Sequence, residues 1–195
     1  MIEKLEQIDR SLFLWLNGKH APALDVCMYY VSAIFIFTPL FIWWFYEAYK
    51  LMNARKLFVM IVMMGLVIVL ADQSSNRVKH AVQRYRPTHN IEIGPQVHIV
   101  NGYKGGQYGF FSGHAANTFG IAMFVYLMFK GKKRIFRMIP FIWAILTSYS
   151  RIYLGVHYPS DIFVGMCTGL LWGFLMYRLA DWLTVKYVGN DESAN

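Results

Sequence analysis

The chain has 195 residues, of which 56% are hydrophobic, 17% aromatic and only 15% charged, and its formal net charge is +8. This composition excludes an ordinary soluble domain and points to an integral membrane protein. The positive charge does not argue for nucleic acid, because the basic residues fall mainly in short turns between apolar runs, the pattern that sets membrane topology.

Residues 1–10 carry Glu3, Lys4, Glu6, Asp9 and Arg10 with no uninterrupted apolar core, so no signal peptide is expected there. Leu5, Ile8, Leu12, Phe13, Trp15 and Leu16 recur at helical spacing with a polar face opposite, and Asn17-Gly18 ends the run. Residues 3–17 are therefore expected to form a helix lying in the membrane interface. A charge-free run over 26–46, with Trp43 and Trp44 near one end, predicts the first span. Further spans are expected at 57–71, continuing as a polar helix toward Lys79, then at 115–129, 138–150 and 162–177. The expected fold is all-α: a polytopic membrane helix bundle of about five transmembrane spans plus the N-terminal interfacial helix. No linker or internal repeat divides the chain, so residues 1–195 read as one membrane-embedded domain. Cys27 and Cys167 have no metal-type spacing and read as small buried apolar side chains.

The turn with Lys50, Arg55 and Lys56 and the turn with Lys130, Lys132, Lys133, Arg134 and Arg137 belong in the cytoplasm. The N-terminus then lies outside and the C-terminus inside, and Lys79, Arg86, Ser112, His114, Arg151, His157 and Asp161 all emerge on the outer face. The four motif-bearing spans have uncharged stretches of 13 to 16 residues, about 20 to 24 Å at about 1.5 Å per residue. A bilayer core is about 30 Å thick, so the outer ends should sit below the headgroup plane, within reach of a lipid phosphate.

The chemistry starts from the cations. Lys79 and Arg86 are seven apart, which on a helix ended by Pro87 is two turns along one face. Arg151 adds a guanidinium from another span, a group that grips phosphate oxygens as a fork. Ser112-Gly113-His114 opens a span, so free backbone N–H groups, the hydroxyl and the helix dipole favour a phosphate there, and Gly113 lets the backbone come close. His114 is placed to protonate a leaving oxygen. His157 and Asp161 are four apart, with Pro159 where a first helical turn tolerates it, so the carboxylate can hold one ring nitrogen while the other attacks phosphorus. Lys79, Arg86 and Arg151 would stabilise the transferring group without a metal. Asp72, seven residues before Lys79, either orients that cation or makes a wet bundle contact. His80, His89 and His98 have no metal signature and read as exposed loop residues. The glycine-rich loop over 88–110 reads as a mobile cover.

Lys79 with Arg86-Pro87, then Ser112-Gly113-His114, then Ser150-Arg151 with His157 and Asp161, resemble the three-part signature of the type 2 phosphatidic acid phosphatase family. The likeness runs over residues 79–161 and departs at Phe111, where the family usually has proline. It implies cofactor-free, metal-independent hydrolysis of a lipid phosphate, with His157 as nucleophile, Asp161 its partner, His114 the acid, and Lys79, Arg86, Ser112, Gly113 and Arg151 holding phosphate. The small size resembles bacterial members, which implies a bacterial cytoplasmic (inner) membrane with the site facing outward. Undecaprenyl diphosphate and lipid A phosphates rank first as substrates, with phosphatidylglycerol phosphate and phosphatidic acid behind. A phosphotransferase using the same phosphohistidine is the alternative. A vanadate haloperoxidase, whose family shares the anion pocket, is soluble and much longer, and a scaffold or transporter leaves the convergence to chance. Oligomeric state is not legible.

Overall fold

A computed structural model of the chain describes residues 2–188, and among these the regular elements are all helical, without a strand. The helices are α1 (Ile2–Asn17), α2 (Pro22–Val31), α3 (Thr38–Leu51), α4 (Ala54–Val82), α5 (Gly113–Met128), α6 (Arg134–Tyr153) and α7 (Pro159–Leu183). Local chemistry sets their ends. Asn53 caps α4 by accepting the Lys56 N–H at 2.9 Å, Ser112 caps α5 by accepting the Ala115 N–H at 3.3 Å, and Pro159 opens α7 where its missing N–H costs nothing. The expectation for the C-terminus falls on residues 189–195, outside the described residues.

Helices α4, α5, α6 and α7 form the bundle, with α5 packed most extensively on α7 and also against α4 and α6. The α5–α7 contact depends on small residues. Gly165, Gly169 and Gly173 recur every fourth residue along α7, and a Cβ on Gly169 would lie 2.1 Å from the Ala116 carbonyl oxygen, so only glycine lets the two backbones touch there. That contact brings the first turn of α7 to the start of α5, where the Ser112 N–H donates to the Asp161 carbonyl at 3.0 Å.

By length and composition α4 and the helix Pro159–Tyr187 are each able to cross a membrane, and Pro22–Val31 with Phe35–Leu51 makes a third if it is one span. That pair is bent by 75°, whereas the sequence predicts one continuous span over 26–46. Helix α5, with 16 residues, is shorter than the about 20 a full crossing needs, and α6 carries Arg134, Arg137 and Arg151. Apolar side chains cover the outside of the bundle, among them Phe58, Ile61, Ile142, Ile145, Phe163 and Leu171. Water would penalise such a belt and lipid would not. The same reasoning corrects the reading of Cys27 and Cys167, which are both exposed: in a membrane bundle, outward positions are apolar too.

At one end of the bundle Glu47 holds Lys132 at 2.7 Å and Lys50 at 3.4 Å, joining the two basic turns. The other end carries the candidate site, roofed by residues 83–111 and flanked by α1. This segment is packed and not a free cover. Ile93 and Val97 are buried with Phe13 of α1 and Tyr158, while Val100 is buried with Tyr153, Leu154 and Val156.

Candidate active site

The site is assembled from the ends of four helices and the roof. Helix α4 ends at Val82, and Gln83 adopts a left-handed conformation with its N–H on the Lys79 carbonyl. Arg86 is therefore not on the helix face that the seven-residue spacing suggests. A residue before proline is pushed out of the helical region, so Pro87 forces an earlier stop. Arg86 is extended, its N–H donates to Gln107 O at 3.0 Å, and its Nε donates to Tyr108 O at 3.1 Å. The chain reversal at Gln83 still leaves Lys79 within electrostatic range of Arg86, Arg151, Asp72 and Asp161. Gly105 closes over Arg86, where a Cβ would lie 2.4 Å from Nη1, and its φ of +67 is the left-handed conformation that favours glycine.

Arg151, in the last turn of α6, is only 3% exposed. Its Nη1 donates to Ser32 Oγ at the end of α2, its Nη2 donates to Tyr103 OH at 3.0 Å, and its buried Nε has no partner among the described residues. At the start of α5 Ser112 is fully buried, and Gly113 faces α4, where a Cβ would stand 3.2 Å from Ser75 Oγ. Gly113 thus allows close α4–α5 packing beside the cap. His114, half-buried, is within electrostatic range of Arg151, His157, Lys79 and Arg86.

His157 and Asp161 are 2% and 0% exposed, with Nδ1 3.4 Å from Asp161 Oδ2. The same carboxylate oxygen accepts the Tyr158 N–H at 2.9 Å, and Oδ1 accepts Arg84 Nη1 at 3.1 Å. Burial, and then the charges of Arg86, Arg151 and Lys79, push His157 well below its ordinary range, against a hydrogen bond with the Gly109 backbone. The ring is therefore neutral near pH 7, with a lone pair available for attack.

The expected residues Lys79, Arg86, Ser112, His114, Arg151, His157 and Asp161 thus gather at one end of the bundle. Asp72 lies one step removed, accepting Asn117 Nδ2 at 2.8 Å across the α4–α5 contact while remaining in range of Lys79. His80, His89 and His98 diverge. His80 bonds Asn76 O, His89 bonds Thr88, and His98, packed instead of exposed, stacks on His20 with centroids 3.8 Å apart and bonds Asp25 at 2.9 Å. Sequence reasoning missed Arg84, Asp9, Ser32 and Tyr103. Arg84 sits two residues before Arg86 in an Arg-Tyr-Arg-Pro string that could have drawn notice, while the other three contact the site only through the fold.

The chain is 38% identical over 188 residues to a lipid A 4'-phosphatase of Bacteroides thetaiotaomicron, covering 95% of this chain and 83% of that protein. It is 34% identical over 191 residues to a lipid A 4'-phosphatase of Porphyromonas gingivalis, covering 96% and 79%. Among solved structures it is similar to Aquifex aeolicus LpxE, with a TM-score of 0.66 and 28% identity over 86% of this chain and 93% of that one. A transmembrane PAP2-type phosphatidylglycerolphosphate phosphatase from Bacillus subtilis shares the fold, with a TM-score of 0.68 and 21% identity over 92% and 88%. The resemblance carried by the three motifs is borne out: residues 56–184 match the PAP2 superfamily, to which this chain belongs.

Proposed function

We propose that this protein removes a phosphate from a membrane lipid, with lipid A 4'-phosphate the first substrate, through a phosphohistidine on His157. The observation that carries the reading is the buried His157–Asp161 pair under three converging cations. Asp161 faces Nδ1, which leaves Nε2 for in-line attack on phosphorus. Lys79, Arg86 and Arg151 hold the non-bridging oxygens, and the start of α5 contributes its N-terminal N–H groups. As the P–N bond forms and the bond to the lipid oxygen breaks, His114 gives that oxygen its proton. His114 then takes a proton from water, which attacks phosphorus, breaks the P–N bond and releases inorganic phosphate. No step in this scheme calls for a metal. Asp72, bonded to Asn117, biases the position of Lys79 from the α4–α5 contact.

Residues 1–195 act as one unit with five crossings: the bent α2–α3 pair, α4, α5, α6 and α7. The turns with Lys50, Arg55, Lys56 and Lys130 to Arg137 face the cytoplasm with the C-terminus, and the site opens on the outer face of a bacterial inner membrane. Helix α1 lies in the interface, with Leu5, Ile8, Leu12 and Trp15 turned outward. The choice of lipid A over undecaprenyl diphosphate, phosphatidylglycerol phosphate and phosphatidic acid draws on the two relatives that match nearly the whole chain. Phosphate release by the purified protein in detergent with EDTA, measured on these four lipids, tests it. Fastest release from lipid A supports the reading, whereas a stronger preference for another lipid replaces the substrate. Transfer to a second lipid without free phosphate replaces hydrolysis by phosphotransfer.

A further inference from the structure

Arg84 lies beside the site with both terminal nitrogens engaged by protein side chains. Its Nη1 donates to Asp161 Oδ1 at 3.1 Å and to Ser160 Oγ at 2.8 Å, and its Nη2 donates to Asp9 Oδ2 at 2.7 Å. The guanidinium also lies 4.0 Å from the centroid of the Tyr158 ring. Asp9 accepts the Ser160 N–H at 2.9 Å and the Ser160 hydroxyl, so the carboxylate of α1 braces both Arg84 and the first turn of α7. The Arg84 carbonyl accepts the Gly109 N–H at 2.9 Å, which ties the same residue to the loop beside His157. A planar fork is needed to meet two carboxylates and a hydroxyl while stacked on a ring, and an ammonium cannot do this.

Asp161 is fully buried and has two oxygens to satisfy. Oδ2 serves the Tyr158 N–H and His157, and Oδ1 rests on Arg84. Without Arg84, Oδ1 is left without its buried donor and the carboxylate loses the contact that fixes its rotation about the imidazole. Helix α1 is seated on the same assembly through Phe13, fully buried and 5.4 Å from Tyr158 between ring centroids, while its opposite face is apolar and exposed. A continuous set of contacts therefore runs from the lipid-facing helix through Asp9, Arg84 and Asp161 to His157.

We propose that Arg84, held by Asp9 of α1, is a positioning residue for the Asp161–His157 pair, which makes the N-terminal helix part of the support of the nucleophile. This rests on the reading of His157 as nucleophile. The test is a double-mutant cycle in the full-length protein, with Arg84→Gln and Asp9→Asn each made alone and on an Asp161→Asn background. Arg84→Gln should lower kcat about 10- to 100-fold and Asp9→Asn about 3- to 10-fold, both with KM within about twofold. On the Asp161→Asn background each should cost less than about twofold, because the group they act through is already disabled. A loss from general loosening would persist on that background. Unchanged kcat in Arg84→Gln, or an equal loss with and without Asp161, overturns the inference. If Arg84→Gln does not fold, the Asp9→Asn cycle decides by the same criterion. A wild-type protein that releases no phosphate overturns the functional reading and this inference with it, whereas an active wild type with an additive cycle overturns the inference alone.

Discussion

Nδ1 of His157 stands 3.4 Å from Asp161 Oδ2, and the same oxygen accepts the Tyr158 N–H, so the backbone that leads into α7 aims the carboxylate at the ring. The pairing fixes which imidazole nitrogen is free. Asp161→Asn presents an amide where the ring needs an acceptor for its N–H and removes the charge that would stabilise an imidazolium. We expect kcat to fall about 100- to 10,000-fold with the thermal midpoint little changed. Single-turnover kinetics of the folded variant would check this, and a loss of only a fewfold would leave Asp161 without the role assigned to it.

His114 stands at the first turn of α5, within range of His157 and the three cations. If it protonates the leaving oxygen, His114→Ala should lose most on a lipid alkoxide and least on an aryl phosphate, whose leaving group needs no proton. Comparing the two substrates in wild type and variant gives the answer. Equal losses on both would assign His114 to binding.

His157 is held well below its ordinary range, first by burial and then by Arg86, Arg151 and Lys79. For an imidazole this sign favours the neutral form, so protonation is complete only at a pH far under 6.5. Ring nitrogen chemical shifts of His157 in detergent should therefore report a neutral tautomer with its proton on Nδ1 at pH 6.5. A half-charged ring at that pH would mean that the cations and the burial do not act as the structure places them.

The α5–α7 contact leaves no room at Gly169, where a Cβ would meet the Ala116 carbonyl at 2.1 Å. Gly169→Ala must push the helices apart, and overpacking of this kind costs about 1–3 kcal/mol. The same shift would strain the Ser112–Asp161 backbone bond that joins the two halves of the site. The thermal midpoint and turnover should both decline, whereas an unaltered midpoint would show that the two helices have room to spare at Gly169.

Much of the candidate site was legible in the sequence because an ionisable residue at the end of an apolar run is costly unless it meets an opposite charge or a polar ligand. Lys79, Arg151, His157 and Asp161 at the ends of apolar runs are of this kind, and Ser112 before a helix is a cap whatever else it does. Helix α1 was legible from periodicity alone. Arg86 is extended and not helical because the restriction that Pro87 imposes on its neighbour outweighs the helical spacing from Lys79. The bend between α2 and α3 was hidden because an apolar, charge-free run looks the same straight or broken. The outward position of Cys27 and Cys167 is not legible from their apolar surroundings, because apolar character marks the inside of a soluble protein but both faces of a membrane helix. The glycine stripe of α7 was visible as a spacing, yet its meaning needs the partner helix. Arg84 with Asp9, and Arg151 with Ser32 and Tyr103, are pairings across long stretches of chain that no local pattern encodes.

The most direct test of the account is to trap the intermediate. The protein turning over lipid substrate would be quenched rapidly in alkali, which preserves phosphohistidine, and the modified peptide identified by mass. The account predicts a phosphoryl group on His157 that is absent from His157→Ala, and that this variant has no turnover. A phosphoryl group on another residue, or sustained turnover by folded His157→Ala, would contradict it.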